Sequence, residues 1–547
     1  MKHTLNKIPF SALIAMLAAC MLTACNKTKV DPIDPYPEAP KPLVKFLDGA
    51  PTPATGIEGS VVAFNLNGLK GKEGTFKFFI NQTEAEVVSV EENTVRVKVP
   101  LNASTGGSSV LINGEYYFGP TFTVKGKISV DPLFNADSYR STGPINGIFR
   151  RADGTTYMVY GSFNNYQNMA STTVTISGIA VLGANGEYAA AASQLKVGKA
   201  GFNSMVSKVI QLASGKYLVA GYFNRYDTMS NVNNMARLNA DGTLETMVVD
   251  VVNPDPINFP NNDKDVVPGF NGGTLGGIGN LFYNATTAKA TVTGNFSYHV
   301  STFYERSTKG GPYLDQTKAR QIIRMNDNGS FDSTFNFDRT LNSSYAGANG
   351  NIYDAIQQAD GKIIVVGNFT TFNGKPAKYI ARISATDGTL DETFNMGNVG
   401  ADGSINKITF NATTGKILLS GGFKNYNGVA AGGVVMIGAN GAVDASFNFK
   451  LLEGGVVNYA GQINNGKILV SGSFNKYAGV VRPGLLVLNA DGTLAAGYNN
   501  IGLFRGTISS FVELTSSNGM PAIIIVGSFD RFDGKEVANI VKFRIEN

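Results

Sequence analysis

Apolar residues in this chain gather in short runs that end on glycine: "IIVVG" at 363–367, "ILLSG" at 417–421, "ILVSG" at 468–472 and "IIIVG" at 523–527. Asp-Gly or Asn-Gly pairs stand before several of them, which is the chemistry of a tight hairpin turn. Short β-favouring runs between such turns predict strands. Each run continues as Gly, any residue, Phe, and that triplet occurs at Gly161/Phe163, Gly221/Phe223, Gly294/Phe296, Gly367/Phe369, Gly421/Phe423, Gly472/Phe474 and Gly527/Phe529. The intervals are 60, 73, 73, 54, 51 and 55 residues. A period of this size marks an array of supersecondary units.

The fourth copy parses most fully. "NIYDAIQQ" (351–358), "IIVVGNFTTF" (363–372), "YIARIS" (379–384) and "LDETFN" (390–395) predict four antiparallel strands joined by turns, the unit of a β-propeller. The ends of the array predict how it closes. "ISVDPLFN" (128–135) aligns with the fourth-strand phrases "GSFDSTFN", "GTLDETFN" and "GAVDASFN", while the last residues, "ANIVKFRIEN", align with a third strand. The first segment should therefore lend its strand to the last unit, so the expected architecture over 126–547 is a seven-bladed β-propeller with strand-exchange closure.

Residues 43–125 alternate apolar and polar in "SVVAFNLNG", "TFKFFINQTEAEVVSV", "TVRVKVP" and "SVLINGEYYFGPTFTV", which predicts one small β-sandwich. An all-β chain agrees with 64 glycines in 547 residues and 43% apolar content. The segment resembles the IPT/TIG family of immunoglobulin-like domains through "PTPATGIEGSVVAFNLNG", "FFINQTEAEVVSVEENTVRVKVP" and "FGPTFTV". That resemblance implies an immunoglobulin-like β-sandwich acting as a spacer or binding module. The repeat, through "DGKIIVVGNFTTFNGKPAKYIARISATDGTLDETFN", resembles the delta-sixty family of bacterial surface proteins, which implies a fold and no general enzymatic role.

The N-terminus changes the picture of where the protein works. Lys2 and Lys7 precede an apolar run from Ile8 to Leu22, and "LTAC" follows at 22–25. This is a secretory signal pattern, too short and too early to span a membrane. It resembles the lipobox of bacterial lipoproteins, which implies a signal peptide at 1–24 and lipidation of Cys25. The proline-dense stretch 25–42 favours extended conformation and reads as a tether. Cys20, the other cysteine, lies in the removed part, so the mature body has no thiol for disulfides, zinc or nucleophilic chemistry. Formal charge is +5, or +3 without Lys2 and Lys7, too little over this length for nucleic-acid binding.

Candidate chemistry is sparse. The seven Phe residues of the triplet read as packing between neighbouring units. The Asp-Gly and Asn-Gly turns lack the acid ladder and terminal Glu of a calcium loop, so neither a metal nor another cofactor is expected. Arg237, Arg324, Arg382 and Lys542 on third strands face acids such as Asp332, Asp391 and Asp131, which predicts structural ion pairs. First strands should line a channel, and the residue after the first apolar one reads Asn146, Ser207, Gly279, Tyr353, Asn406, Asn458 and Ser509, a set suited to a wet channel. His299 is the sole histidine after the signal peptide, and Asp354 and Glu513 are scattered acids, so catalysis looks under-equipped.

The longest departures from the repeat are 251–277 and 298–321. The second carries Tyr298, His299, Phe303, Tyr304, Arg306 and Tyr313, and 338–350 adds Tyr345. Flat rings beside hydrogen-bonding groups predict a binding rim able to stack on sugar or peptide. The layout is similar to accessory surface lipoproteins of Bacteroidetes glycan-uptake systems. It implies a non-catalytic outer-membrane lipoprotein that binds a polysaccharide or glycoconjugate and touches the membrane only through its lipid. The alternatives are a protein-interaction or adhesion scaffold and, third, a polysaccharide lyase or hydrolase. "NKTKVDP" after Cys25 starts basic, which leaves surface and periplasmic placement both open.

Overall fold

The structure is a computed structural model that describes residues 43–134, 140–189, 194–197, 200–255, 257, 262–397, 399–516 and 519–546. Cys25, the expected signal peptide and the expected tether lie outside the described residues. The strands of both expected domains lie within one compact unit, Phe46–Asn547.

In the region expected to be a sandwich, the strand Thr83–Val90 changes partner midway. Its first residues pair with Phe76–Ile80 and its last with Thr94–Lys98, with a bulge between Val87 and Ser89. One sheet therefore curls over itself where two separate layers were expected. Phe64 packs against Phe78 and Phe122 inside the curl, with ring centroids 4.8 and 6.0 Å apart.

Seven antiparallel sheets built around the triplet glycines follow among the described residues, with smaller sheets between them. Their first and second strands are Ile145–Arg150 and Tyr157–Gly161, Val206–Gln211 and Tyr217–Gly221, Gly273–Asn284 and Lys289–Thr302, Ile352–Gln357 and Ile363–Gly367, Ile405–Asn411 and Lys416–Gly421, Val457–Gln462 and Ile468–Gly472, and Arg505–Thr515 and Pro521–Phe532. A third strand completes each, for example Ile380–Ile383 in the fourth sheet and Ile540–Ile545 in the seventh. Neighbouring sheets share apolar clusters, and one cluster joins Ile145, Ile148 and Val159 of the first sheet to Ile524, Val526 and Ile540 of the seventh. That cluster packs the first sheet of the array against the last. The seven triplet phenylalanines are all buried at 3% exposure or less, so they are core as expected.

The expected fourth strands shrink to single bridges, such as Ile383 with Leu390 and Ile437 with Val443. The phrase itself turns the chain away. Asp332, Asp391 and Asp444 each accept the backbone N–H two residues on, from Thr334, Thr393 and Ser446, which closes a local turn in place of a ladder. The seventh sheet is different, because Ile128–Val130 pairs with Ile540–Ile545 over three residues. Asp131, next along the chain, is fully buried against Lys542 and Arg544.

The basic row pairs as its sequence suggested. Arg324 Nε stands 2.7 Å from Asp332 and Arg382 Nε 2.9 Å from Asp391, and their guanidinium groups lie over Phe335 and Phe394. In the fifth sheet, where the third strand has Met436, Lys416 pairs with Asp444 at 2.6 Å. The Lys416 ammonium, with the Ser446 hydroxyl, holds the Asp444 carboxyl down at about 2. Asp332 and Asp391 are also held below the ordinary carboxylate range, their bonds outweighing the opposing effect of burial. A lowered native pKa stabilises the fold above the unfolded value and stops doing so as pH falls through the native value. Melting temperature should therefore hold from neutral pH to about 4 and fall steadily toward about 2. A thermal melt series across that range that stayed flat would contradict the assignment.

Residues 102–105 meet the repeat region. The Thr105 amide donates to Asn500 O (2.9 Å), Asn500 Nδ2 donates to Ile128 O (2.9 Å), and Arg482 Nη1 donates to Asn102 O (2.9 Å). Arg482 is buried with no ion pair among the described residues, and desolvation pushes its guanidinium down to about 10. The side chain is committed to the junction.

Candidate functional site

A bulge in the innermost strand of each sheet builds the site. In the first, second, fourth, fifth and sixth sheets the register slips by one residue immediately after the first apolar position, as between Ile352 and Asp354. The third and seventh sheets slip between Ile278 and Asn280 and between Ile508 and Ser510. The triplet glycine pairs opposite each bulge. A β-carbon at Gly367 would strike the carbonyl of Asn351, and at Gly421 that of Ser404, so the recurring glycine of the motif is a steric requirement of the bulge.

A bulge lets two successive residues face the same way. The outcome is an open cavity of about 1020 Å³ lined largely by the first strands. All seven residues read from the sequence as channel-lining, Asn146, Ser207, Gly279, Tyr353, Asn406, Asn458 and Ser509, reach it. So does a second tier, of which the sequence singled out only Asp354, as a scattered acid: Lys208, Asn280, Asp354, Lys407, Tyr459 and Ser510. The first sheet has Gly147 at this level, and the Tyr160 hydroxyl, coming from the second strand, occupies the place of its side chain.

The first tier partly stitches the sheets together. Asn146 Nδ2 donates to Val206 O (2.9 Å), and Asn458 Nδ2 donates to Thr507 Oγ1 (3.0 Å). Asn406 and Tyr353 are exposed in the cavity wall, the latter at 44%, and neither side chain bonds to the protein among the described residues. They are left to a ligand or water.

The second tier carries the charge. Asp354 is 8% exposed and accepts from the Ala355 amide (3.0 Å) and, across to the fifth sheet, from the Ile408 amide (3.2 Å); Lys407 Nζ pairs with it at 3.1 Å. Lys208 is half-buried and has no ion pair among the described residues. The Tyr160 phenol, and after it the more distant Asp354, hold its ammonium above the ordinary lysine range against the effect of burial. Tyr459, buried beside them, has its phenol pushed well up by desolvation. Glu513, at the opposite end of its strand, is raised by burial and accepts from the Asn464 amide.

The residues expected to form a rim do not all meet. Tyr298 and His299 are not loop residues, because the second strand of the third sheet runs on through Thr302 and pairs with Leu314–Lys318. His299 is 2% exposed, with Nε2 3.0 Å from Gly329 O and its ring against Phe331, and desolvation lowers its pKa. It is a core residue rather than a rim residue. Tyr304 opens a short 3-10 turn and is half-buried, its phenol pushed up to about 12. Phe303, Arg306 and Tyr313 do assemble, with the guanidinium 5.4 and 5.6 Å from the two exposed rings. Tyr345 is exposed on its own loop, its amide bonded to Asn336 O. Antiparallel pairing puts the end of each second strand beside the start of each first strand, so the Phe303 cluster and the first tier lie toward the same face.

The curled sheet carries another exposed surface. Phe118 is 81% and Leu101 75% exposed, and Tyr116 stacks on Phe118 with rings 16° from parallel. These side chains and Val480 and Val481 of the repeat region border a cleft of about 580 Å³.

Four stretches, 212–246, 358–394, 413–447 and 463–494, match the model of a β-propeller domain of unknown function, DUF5122. The repeat region is a β-propeller. The matches fall on the second, fourth, fifth and sixth of the sheets described above, each running from the turn before the second strand to the bridge after the third. A solved structure from Bacteroides thetaiotaomicron, described as a structural genomics protein of unknown function, covers 93% of this chain and 100% of its own at 11% identity. Its TM-score is 0.28, too low to bear on the reading. No curated protein matches the chain.

Proposed function

We propose that this chain is a non-catalytic polysaccharide- or glycoconjugate-binding lipoprotein of the outer membrane, anchored through Cys25 beyond a 25–42 tether. In this reading residues 43–125 form an immunoglobulin-like module and 126–547 a seven-bladed propeller, whose central cavity seats the glycan. One observation carries it: a ligand-sized concavity bordered by amides, hydroxyls and the Tyr353 ring, with Asn406 and Tyr353 unengaged. The exposed Phe303–Arg306–Tyr313 cluster supplies a further contact on that face. Asp354 and Glu513, the acids a hydrolase would draw on, are both engaged by backbone amides.

Affinity electrophoresis through a panel of polysaccharides tests the reading. At least one should retard the protein, and Tyr353→Ala with Asn406→Ala should remove the retardation without moving the melting temperature. A second reading, a protein-docking scaffold, is favoured by the exposed Leu101–Tyr116–Phe118 surface. It would replace the first if no polysaccharide retards the chain and a protein partner is captured in a manner dependent on Phe118.

A further inference from the structure

We infer that the cavity selects saccharides bearing a carboxylate, with Lys208 and the Tyr160 hydroxyl as the carboxylate seat; this rests on the cavity being the glycan site. In the second tier two ammonium groups, Lys208 and Lys407, share a single carboxylate. Asp354 is committed on both oxygens, to the Ala355 and Ile408 amides, and pairs with Lys407 at 3.1 Å. Lys208 is left with a phenol for company and no ion pair among the described residues.

The other acid of the cavity is too far along the strand to neutralise it. Glu513 stands three residues beyond Ser510, about 10 Å at the roughly 3.3 Å per residue of an extended strand. An unpaired, half-buried ammonium facing a polar cavity is a standing source of positive potential, strongest where water is partly excluded. An N–H and an O–H donor side by side match the two oxygens of a carboxylate. The hydroxyls of the same sugar would meet Asn406, Tyr353 and Ser509 on the tier above, which bear no charge. Selection would therefore act on the carboxylate, and general glycan contact on the first tier.

The experiment uses polygalacturonate, alginate and hyaluronate against neutral dextran, pullulan and galactomannan in affinity gels, with the full-length mature chain. At least one carboxylated polymer should retard the protein more than any neutral one, and raising salt should weaken that retardation. Lys208→Met should reduce affinity for the carboxylated polymer about tenfold or more, the worth of a charge-assisted hydrogen bond, while Lys208→Arg keeps most of it. Melting temperatures of both variants report folding separately. Retardation by neutral polymers alone, or Lys208→Met binding the carboxylated polymer as wild type does, would overturn the inference while leaving glycan binding intact. Failure of all six, and of every polymer in a wider panel, to retard the protein would instead overturn the glycan reading itself.

Discussion

Asp131→Ala should cost about 3–5 kcal/mol of stability, as removal of one partner from a buried ion pair does. Asp131 is fully buried and joins the first strand of the array to its last. Its Oδ1 accepts from Arg544 Nη2 at 2.8 Å and from the Leu133 amide at 3.1 Å, and Lys542 Nζ stands 3.0 Å from Oδ2 in an ion contact without hydrogen-bond alignment. Lys542 is 3% exposed, so deleting the carboxylate strands an ammonium inside protein. The seam also protects the edge of Ile540–Ile545, and a loosened Ile128–Val130 would bare that edge to other chains. Chemical denaturation should show the loss together with aggregation near the midpoint. Asp131→Leu combined with Lys542→Met should recover part of it, since paired apolar replacement removes the uncompensated charge. An Asp131→Ala midpoint equal to wild type would mean that the seam does not hold the ring.

Two adjacent glycines in one motif should behave oppositely. At Gly421 a β-carbon meets the Ser404 carbonyl and lies 2.9 Å from both the Asn406 nitrogen and Ile405 Cα, all backbone. Gly421→Ala must therefore move the bulge, at a cost above the about 1–3 kcal/mol of an ordinary overpacked core, and displace Asn406 from the cavity wall. Gly422, the next residue, has nothing within 4 Å of the same position, and Gly422→Ala should stay within about 0.5 kcal/mol of wild type. Denaturant midpoints of the two variants decide this. Similar losses from both would show that the glycine serves chain flexibility instead of the bulge.

That steric pairing also explains what could be read from the sequence. The strands, the buried triplet phenylalanines, the third-strand ion pairs and the borrowed strand at 128–130 were all legible, because each depends on local pattern or on a repeated phrase. The first tier of the cavity was legible for the same reason. The second tier was not, since plain alternation sends Lys208, Asp354 and Lys407 to the opposite side from Ser207, Tyr353 and Asn406, and only the bulge brings them round. The signal was present in the triplet glycine. Tyr160 was beyond reach, because it fills the place of Gly147 from a different strand.

Tyr298 and His299 lie in strand rather than in a loop, because the interruption of the repeat there lengthens a strand. "NFSYHVST" continues its strand, with Phe296 and Val300 buried and Asn295 and Ser297 exposed in alternation until His299, buried out of phase, and the motif's break in spacing concealed it. The fourth strands were overread in the other direction. Their Asp and Thr spacing favours a side-chain turn over a ladder, and that local bond prevails once the acid is also paired to a third-strand cation.

The most direct test of the account is a crystal structure of the mature chain with an oligosaccharide cut from whichever polymer retards it. The sugar should lie in the central cavity, with hydroxyls at Asn406 and Tyr353 and, for a carboxylated sugar, its carboxylate at Lys208 and Tyr160. Density confined to the Phe303–Tyr313 cluster or to the Tyr116–Phe118 surface, with the cavity holding only water, would contradict it.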